Sequence, residues 1–228
     1  CGGGSGDNKS SSGGASSTVD TQNLGNTGNG MDPTRQGPKT IDGAKKGGTV
    51  TLLTSTGWTT PIDPSDLYYT DTNSIMAGLV TRSLTQYKYD PKTKQMILVP
   101  DLATDLGTLN DSFTKWTFTI RPGVKWENGQ PVTAKEVAWG IQRCMDAATF
   151  PTGPCQYYAN VYFKGGSSYK GPYTAPNQAF KAVKVSGSKL TISMDKPFPD
   201  MPYWGTFPAM GPIPLGKASD PKTYKNHP

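Results

Sequence analysis

The sequence is poor in several things that chemistry needs. It has one histidine, three cysteines and no long apolar run. His227 lacks the His and Cys companions of a tetrahedral zinc site and has no neighbouring nucleophile to activate. No Gly-x-Ser-x-Gly elbow and no phosphate-cradling Gly-x-x-x-x-Gly-Lys-Ser/Thr loop occurs. An enzyme is therefore not expected, nor a metal, nor a cofactor. Without a run of about 18 apolar residues, no segment reads as a membrane-spanning helix. The net charge of +6 comes from scattered Lys and Arg. A nucleic-acid binder would gather them on one face, so no nucleic acid is expected as a partner. Asp63, Asp66 and Asp71 lie near a turn and a helix start, where carboxylates ordinarily cap.

Apolar residues are scarcest at the front. Residues 1–46 hold seven of the hydrophobic set, while 13 of the 27 glycines fall before residue 49. Such a stretch cannot offset its chain entropy by burial. It reads as a disordered Gly/Ser-rich tether. The folded part then begins at Gly47, and its length supports a core.

What is present has clear periods. Gly47-Gly48-Thr49-Val50-Thr51-Leu52-Leu53-Thr54 reads as a glycine hinge into a strand. Pro61-Ile62-Asp63-Pro64 reads as a turn. Residues 72–82 read as a helix with Ile75, Met76, Leu79 and Val80 on one face. Residues 83–89 and 95–99 read as a hairpin across Asp90–Lys94. Residues 115–121 alternate strictly, with Trp116, Phe118 and Ile120 on one side, the pattern of a half-buried strand. Thr133 and Glu136 stand at capping-box spacing, opening a helix that turns Val137, Ala138, Ile141 and Met145 inward. Residues 149–180 read as a long loop. Residues 183–185 and 190–194 read as a second hairpin about Gly187. The class is mixed α/β.

Cys1 followed by Gly-Gly-Gly-Ser-Gly resembles the start of a processed bacterial lipoprotein, whose cysteine carries the lipid. That leaves Cys144 and Cys155, bracketing a Pro/Gly turn. An exported protein permits a disulfide between them, with two free buried thiols as the alternative.

The block Trp116–Arg121, Gly123–Trp126 and Asn128–Val137 resembles the signature of family 5 extracellular solute-binding proteins, the oligopeptide- and dipeptide-binding lipoproteins of ABC importers. Residues 47–52, Pro61–Pro64, Val99–Asp105 and Asp195–Pro199 extend the likeness in order. Residues 79–84 depart from the family's Tyr/Phe-Glu-Gly-Leu segment. The resemblance implies a type II (class C) periplasmic-binding-protein-like fold. Residues 47–62 plus 182–228 would form part of lobe I, and 63–181 the family's extra subdomain. The second lobe is expected to be absent, since members are roughly twice this length. It implies peptide capture in a cleft and delivery to ABC permease subunits. The receptor would be a monomer, lipid-anchored at the outer face of the bacterial cell membrane. A non-peptide solute (sugar, nickel chelate, haem) and a truncated surface lipoprotein that only binds a partner are the alternatives. The family takes cleft contacts from the loop after the first strand, here Thr54, Ser55, Thr56, Gly57, Trp58 and Thr59. Gly57 admits a close backbone, and Trp58 offers a flat apolar wall. Tyr203, Trp204 and Phe207 form a second candidate wall near the hinge.

Overall fold

The computed structural model describes residues 30–35, 42–53 and 62–215. Its strands are β1 (Thr85–Asp90), β2 (Gln95–Pro100), β3 (Thr108–Leu109), β4 (Lys115–Thr119), β5 (Val183–Ser186) and β6 (Lys189–Ser193). Its α-helices are α1 (Thr70–Ile75), α2 (Ala134–Cys144), α3 (Ala159–Tyr162) and α4 (Met201–Trp204). β1 and β2 form an antiparallel hairpin, and a second antiparallel sheet runs in the order β3-β4-β6-β5.

The alternation in β4 does what its pattern requires. Trp116 and Phe118 are buried and lie opposite Ile192 and Leu190 of β6. Val183 of β5 pairs with Ile192 from the other side. This apolar face is covered by α2, through Val137, Ala138 and Ile141. The capping box opens that helix: the Thr133 amide donates to Glu136 Oε2 at 2.8 Å. Glu136 also accepts from Trp126 Nε1 at 2.9 Å. Trp116 Nε1 reaches the Phe198 carbonyl at 2.9 Å, tying the sheet to the Pro197-Phe198-Pro199 element. Arg121 Nε and Nη2 hold the carbonyls of Asp101 and Ala103. The signature residues thus hold the body together.

β4 and β6 stand on opposite sides of the expected 181/182 boundary, which therefore falls within one sheet. Three local expectations need correction. Residues 47–53 form no strand, and Val50, Leu52 and Leu53 are exposed. A strand exists only where its amides find a ladder, and no described strand lies beside them. The helix after Pro64 buries Met76 but leaves Leu79 and Val80 exposed. Residues 76–80 wind as a wider π turn, closed by the Thr81 amide on the Met76 carbonyl. The extra residue per turn rotates the last two side chains outward. Residues 30–32 also depart from the tether reading, because Met31 bridges Leu98 of β2.

Cys144 ends α2 and is bonded to Cys155, with Cα atoms 5.7 Å apart. Closing so short a loop stabilises by about 3 kcal/mol at most. We expect a lower melting temperature with reductant, and an equal fall for Cys144→Ser without it. Identical thermal melts in the two redox conditions would remove the disulfide from the stability account.

Gly140 shows why a good helix former is excluded from the middle of α2. A Cβ there would run into the Gly211 carbonyl oxygen. Alanine normally stabilises a helix interior relative to glycine. Here we expect Gly140→Ala to cost about 1–3 kcal/mol instead, the range of overpacking. A shift of the urea midpoint to higher concentration would contradict this.

Candidate functional site

Two doubled tyrosines, Tyr68-Tyr69 and Tyr157-Tyr158, lie in segments without apolar periodicity. Aromatic rings at such places need a wall to stack on, and they build one together. Tyr68 stacks on Tyr157 at 4.5 Å and lies near Phe207 at 6.4 Å. Tyr158 packs on Trp204 at 4.9 Å, and Trp204 on Phe207 at 4.5 Å. Tyr87 of β1 faces Tyr203 of α4 at 6.5 Å.

All of these rings except Tyr157 line an open groove of about 940 Å³ between α1, the β1–β2 hairpin and α4. The volume lies within the usual range for small-molecule sites. Most of its polar lining is neutral: Thr70, Asn73, Ser74, Gln86 and Thr206. Among the described residues, Asp200 is the only acidic side chain on the lining, and no Lys, Arg or His joins it. Burial pushes the Tyr68 phenol up, with Tyr158 adding to it. Burial also raises Tyr87, helped by Tyr203. Both phenols therefore stay protonated at neutral pH and can donate hydrogen bonds. Trp204 is buried, and its Nε1 has no hydrogen-bond partner among the described residues.

Tyr203, Trp204 and Phe207 thus share one wall. Tyr68, Tyr87 and Tyr158 complete it, and sequence reasoning passed over all three. The adjacent aromatic pairs were the available signal, since exposing two neighbouring rings in a polar loop is unusual. Thr54, Ser55, Thr56, Gly57, Trp58 and Thr59 lie outside the described residues, as does Cys1. Among the described residues, no group of three His, Cys, Asp or Glu side chains could hold a metal. None of the described helices is long and apolar enough to cross a membrane.

The groove rests on a buried ionic support. Asp63 caps its turn by accepting the Ser65 amide at 2.9 Å, but its carboxylate also receives Arg143 Nη1 and Nη2, the latter at 2.6 Å. Arg143 Nη1 also donates to Ser65 Oγ and Nε to Tyr173 Oη, both at 2.8 Å. The guanidinium lies 4.4 Å from the Phe150 ring centre. Both charged side chains are fully buried. Burial alone would lower the Arg143 pKa, but hydrogen bonding and charge from Asp63 hold it above its ordinary value. Nothing opens this cluster to a ligand; it fixes Asp63–Ser65, just ahead of Tyr68. Cys144, the next residue after Arg143, is bonded to Cys155, just ahead of Tyr157 and Tyr158. The end of α2 therefore pins both aromatic pairs.

The mixed α/β body has the type II periplasmic-binding-protein-like fold of solute-binding proteins. The family model for bacterial extracellular solute-binding proteins, family 5 (middle region), matches residues 98–228. The chain belongs to that family. It is 31% identical over 131 residues to the oligopeptide-binding protein OppA of Bacillus subtilis (strain 168), covering 55% of this chain and 22% of OppA. It is 32% identical over 103 residues to the periplasmic murein peptide-binding protein MppA of Escherichia coli (strain K12), covering 45% of this chain and 18% of MppA. Among solved structures, clavulanic acid biosynthesis oligopeptide binding protein 2 superposes with a TM-score of 0.65 at 25% identity. That superposition covers 74% of this chain and 30% of the other. The matched region is thus a minor part of each relative's length.

Proposed function

We propose that the whole protein captures peptides outside the cell and delivers them to an ABC permease, and that the aromatic groove forms one wall of its binding cleft. The observation that carries this reading is the groove's make-up. Flat rings and neutral polar groups surround it, with one carboxylate and no cation among the described residues. Such a wall accepts many side chains by stacking and apolar contact. Recognition of an extended peptide can then rest on its main chain. Tyr203, Trp204 and Phe207 are the contacts on α4 and just after it, with Tyr68, Tyr87 and Tyr158 opposite. The peptide-binding names of the related proteins support the same ligand class. The domain division suggested by the resemblance would make residues 63–181 the scaffold that holds the wall.

Calorimetric titration of the purified chain with the tetrapeptide Ala-Phe-Ala-Ala and, separately, with maltose tests the reading. Heat from the tetrapeptide, accompanied by a change in tryptophan emission, is the expected result. Heat from maltose with silence toward the tetrapeptide would overturn it.

A further inference from the structure

The glycine-rich front contains one short segment that does not behave as a tether. Met31 bridges Leu98 in parallel register. The Asp32 amide donates to the Leu98 carbonyl at 2.8 Å, and the Leu98 amide to the Gly30 carbonyl at 2.7 Å. Residues 30–32 thus dock by a single parallel bridge on the free edge of β2, whose other edge pairs with β1. Met31 is 7% exposed and shares a small apolar cluster with Leu98 and Leu106. Tyr203 packs against that cluster.

The segment is also held by charge. Arg35 Nε lies 3.0 Å from Asp32 Oδ2, and Arg35 Nη2 lies 3.3 Å from Asp90 Oδ2 at the end of β1. The Thr34 amide and hydroxyl both donate to Asp32 Oδ1. One apolar side chain, two ladder hydrogen bonds and one ion pair to the hairpin therefore converge. The neighbouring Gly, Asn and Gln residues offer no other side chain able to fill the Met31 site.

We propose that residues 30–35 are a positioning latch for the groove, with Met31 setting the place of Tyr203 from behind. Tyr203 packs against the cluster of Met31, Leu98 and Leu106 and also meets Tyr87, and both tyrosines line the groove. Without Met31, Tyr203 loses that backing and can retreat from the groove. Met31 and Arg35 are positioning residues, since neither lines the groove. The consequence for ligand affinity rests on the function proposed above; the latch itself does not.

The test uses the purified chain with Met31→Asp, Met31→Leu and Arg35→Ala. Amide hydrogen exchange at Leu98 reads the latch, NMR of the Tyr203 ring reads the wall, and Ala-Phe-Ala-Ala titration reads the site. Met31→Asp should speed Leu98 exchange by about tenfold or more, since exchange reports local opening. It should also move the Tyr203 ring resonances and weaken tetrapeptide binding severalfold. Met31→Leu should restore all three, and Arg35→Ala should fall between. Unchanged Leu98 exchange in Met31→Asp overturns the latch. Faster exchange with an unmoved Tyr203 ring, or with unchanged affinity, overturns its positioning role. A parent chain that binds no tetrapeptide counts against the proposed function, and Leu98 exchange with the Tyr203 ring then decides the latch.

Discussion

Arg143→Met should cost about 3–5 kcal/mol, the loss expected when one partner of a buried ion pair is removed. The remaining Asp63 carboxylate would be fully buried, with the Ser65 amide at 2.9 Å as its one remaining hydrogen-bond donor among the described residues. Ser65 Oγ and Tyr173 Oη would each lose a donor. Arg143→Lys should recover little, because one ammonium cannot reproduce a planar fork that serves three side chains at once. The double variant Asp63→Leu with Arg143→Met should recover much of the loss, since apolar replacement of a whole buried pair is often near neutral. Urea unfolding of the two single variants and the double variant separates these effects. If the double variant is as unstable as Arg143→Met, the hydrogen bonds to Ser65 and Tyr173 matter more than the uncompensated charge.

This pair also shows why part of the molecule was legible in sequence and part was not. β4 and the opening of α2 declare themselves within a few residues. Alternation of Trp116, Phe118 and Ile120 needs one apolar face, and Thr133 with Glu136 needs only one helical turn. Both are local patterns with local energies. Arg143 and Asp63 are eighty residues apart, and neither has a neighbour in sequence that announces the other. Asp63 therefore looked like an ordinary turn carboxylate. The groove is hidden for the same reason. Tyr68, Tyr87, Tyr158 and Tyr203 come from four separate segments, so no periodicity joins them. Met31 was lost by averaging: composition over 46 residues weighs the apolar surface needed for a domain, but a single methionine suffices for one docking contact. The exposed Val50-Thr51-Leu52-Leu53 run errs the other way. Its β-propensity is real, yet propensity without a neighbouring ladder makes no strand.

The groove makes the second large prediction, and it turns on Trp204. Its ring is buried beneath Tyr158 and Phe207, while its Nε1 has no partner among the described residues. Trp204→Ala should cost about 3–5 kcal/mol, the usual range for removing a large buried aromatic. The cavity would also let Tyr158 and Phe207 settle inward, changing the floor of the proposed cleft. Trp204→Phe isolates shape from hydrogen bonding. It keeps a ring against both neighbours and deletes only a donor that is already unsatisfied. A group that makes no hydrogen bond has none to lose, so this variant should cost less than about 1.5 kcal/mol, as near-isosteric core changes do. Urea midpoints of the two variants give the stabilities, and tetrapeptide titration gives the site. We expect Trp204→Phe to bind within severalfold of the parent, and Trp204→Ala to lose binding more steeply than its stability loss alone explains. Equal and severe destabilisation by both substitutions would mean that the indole nitrogen is engaged after all, and that the floor of the groove is polar where the rings now make it apolar.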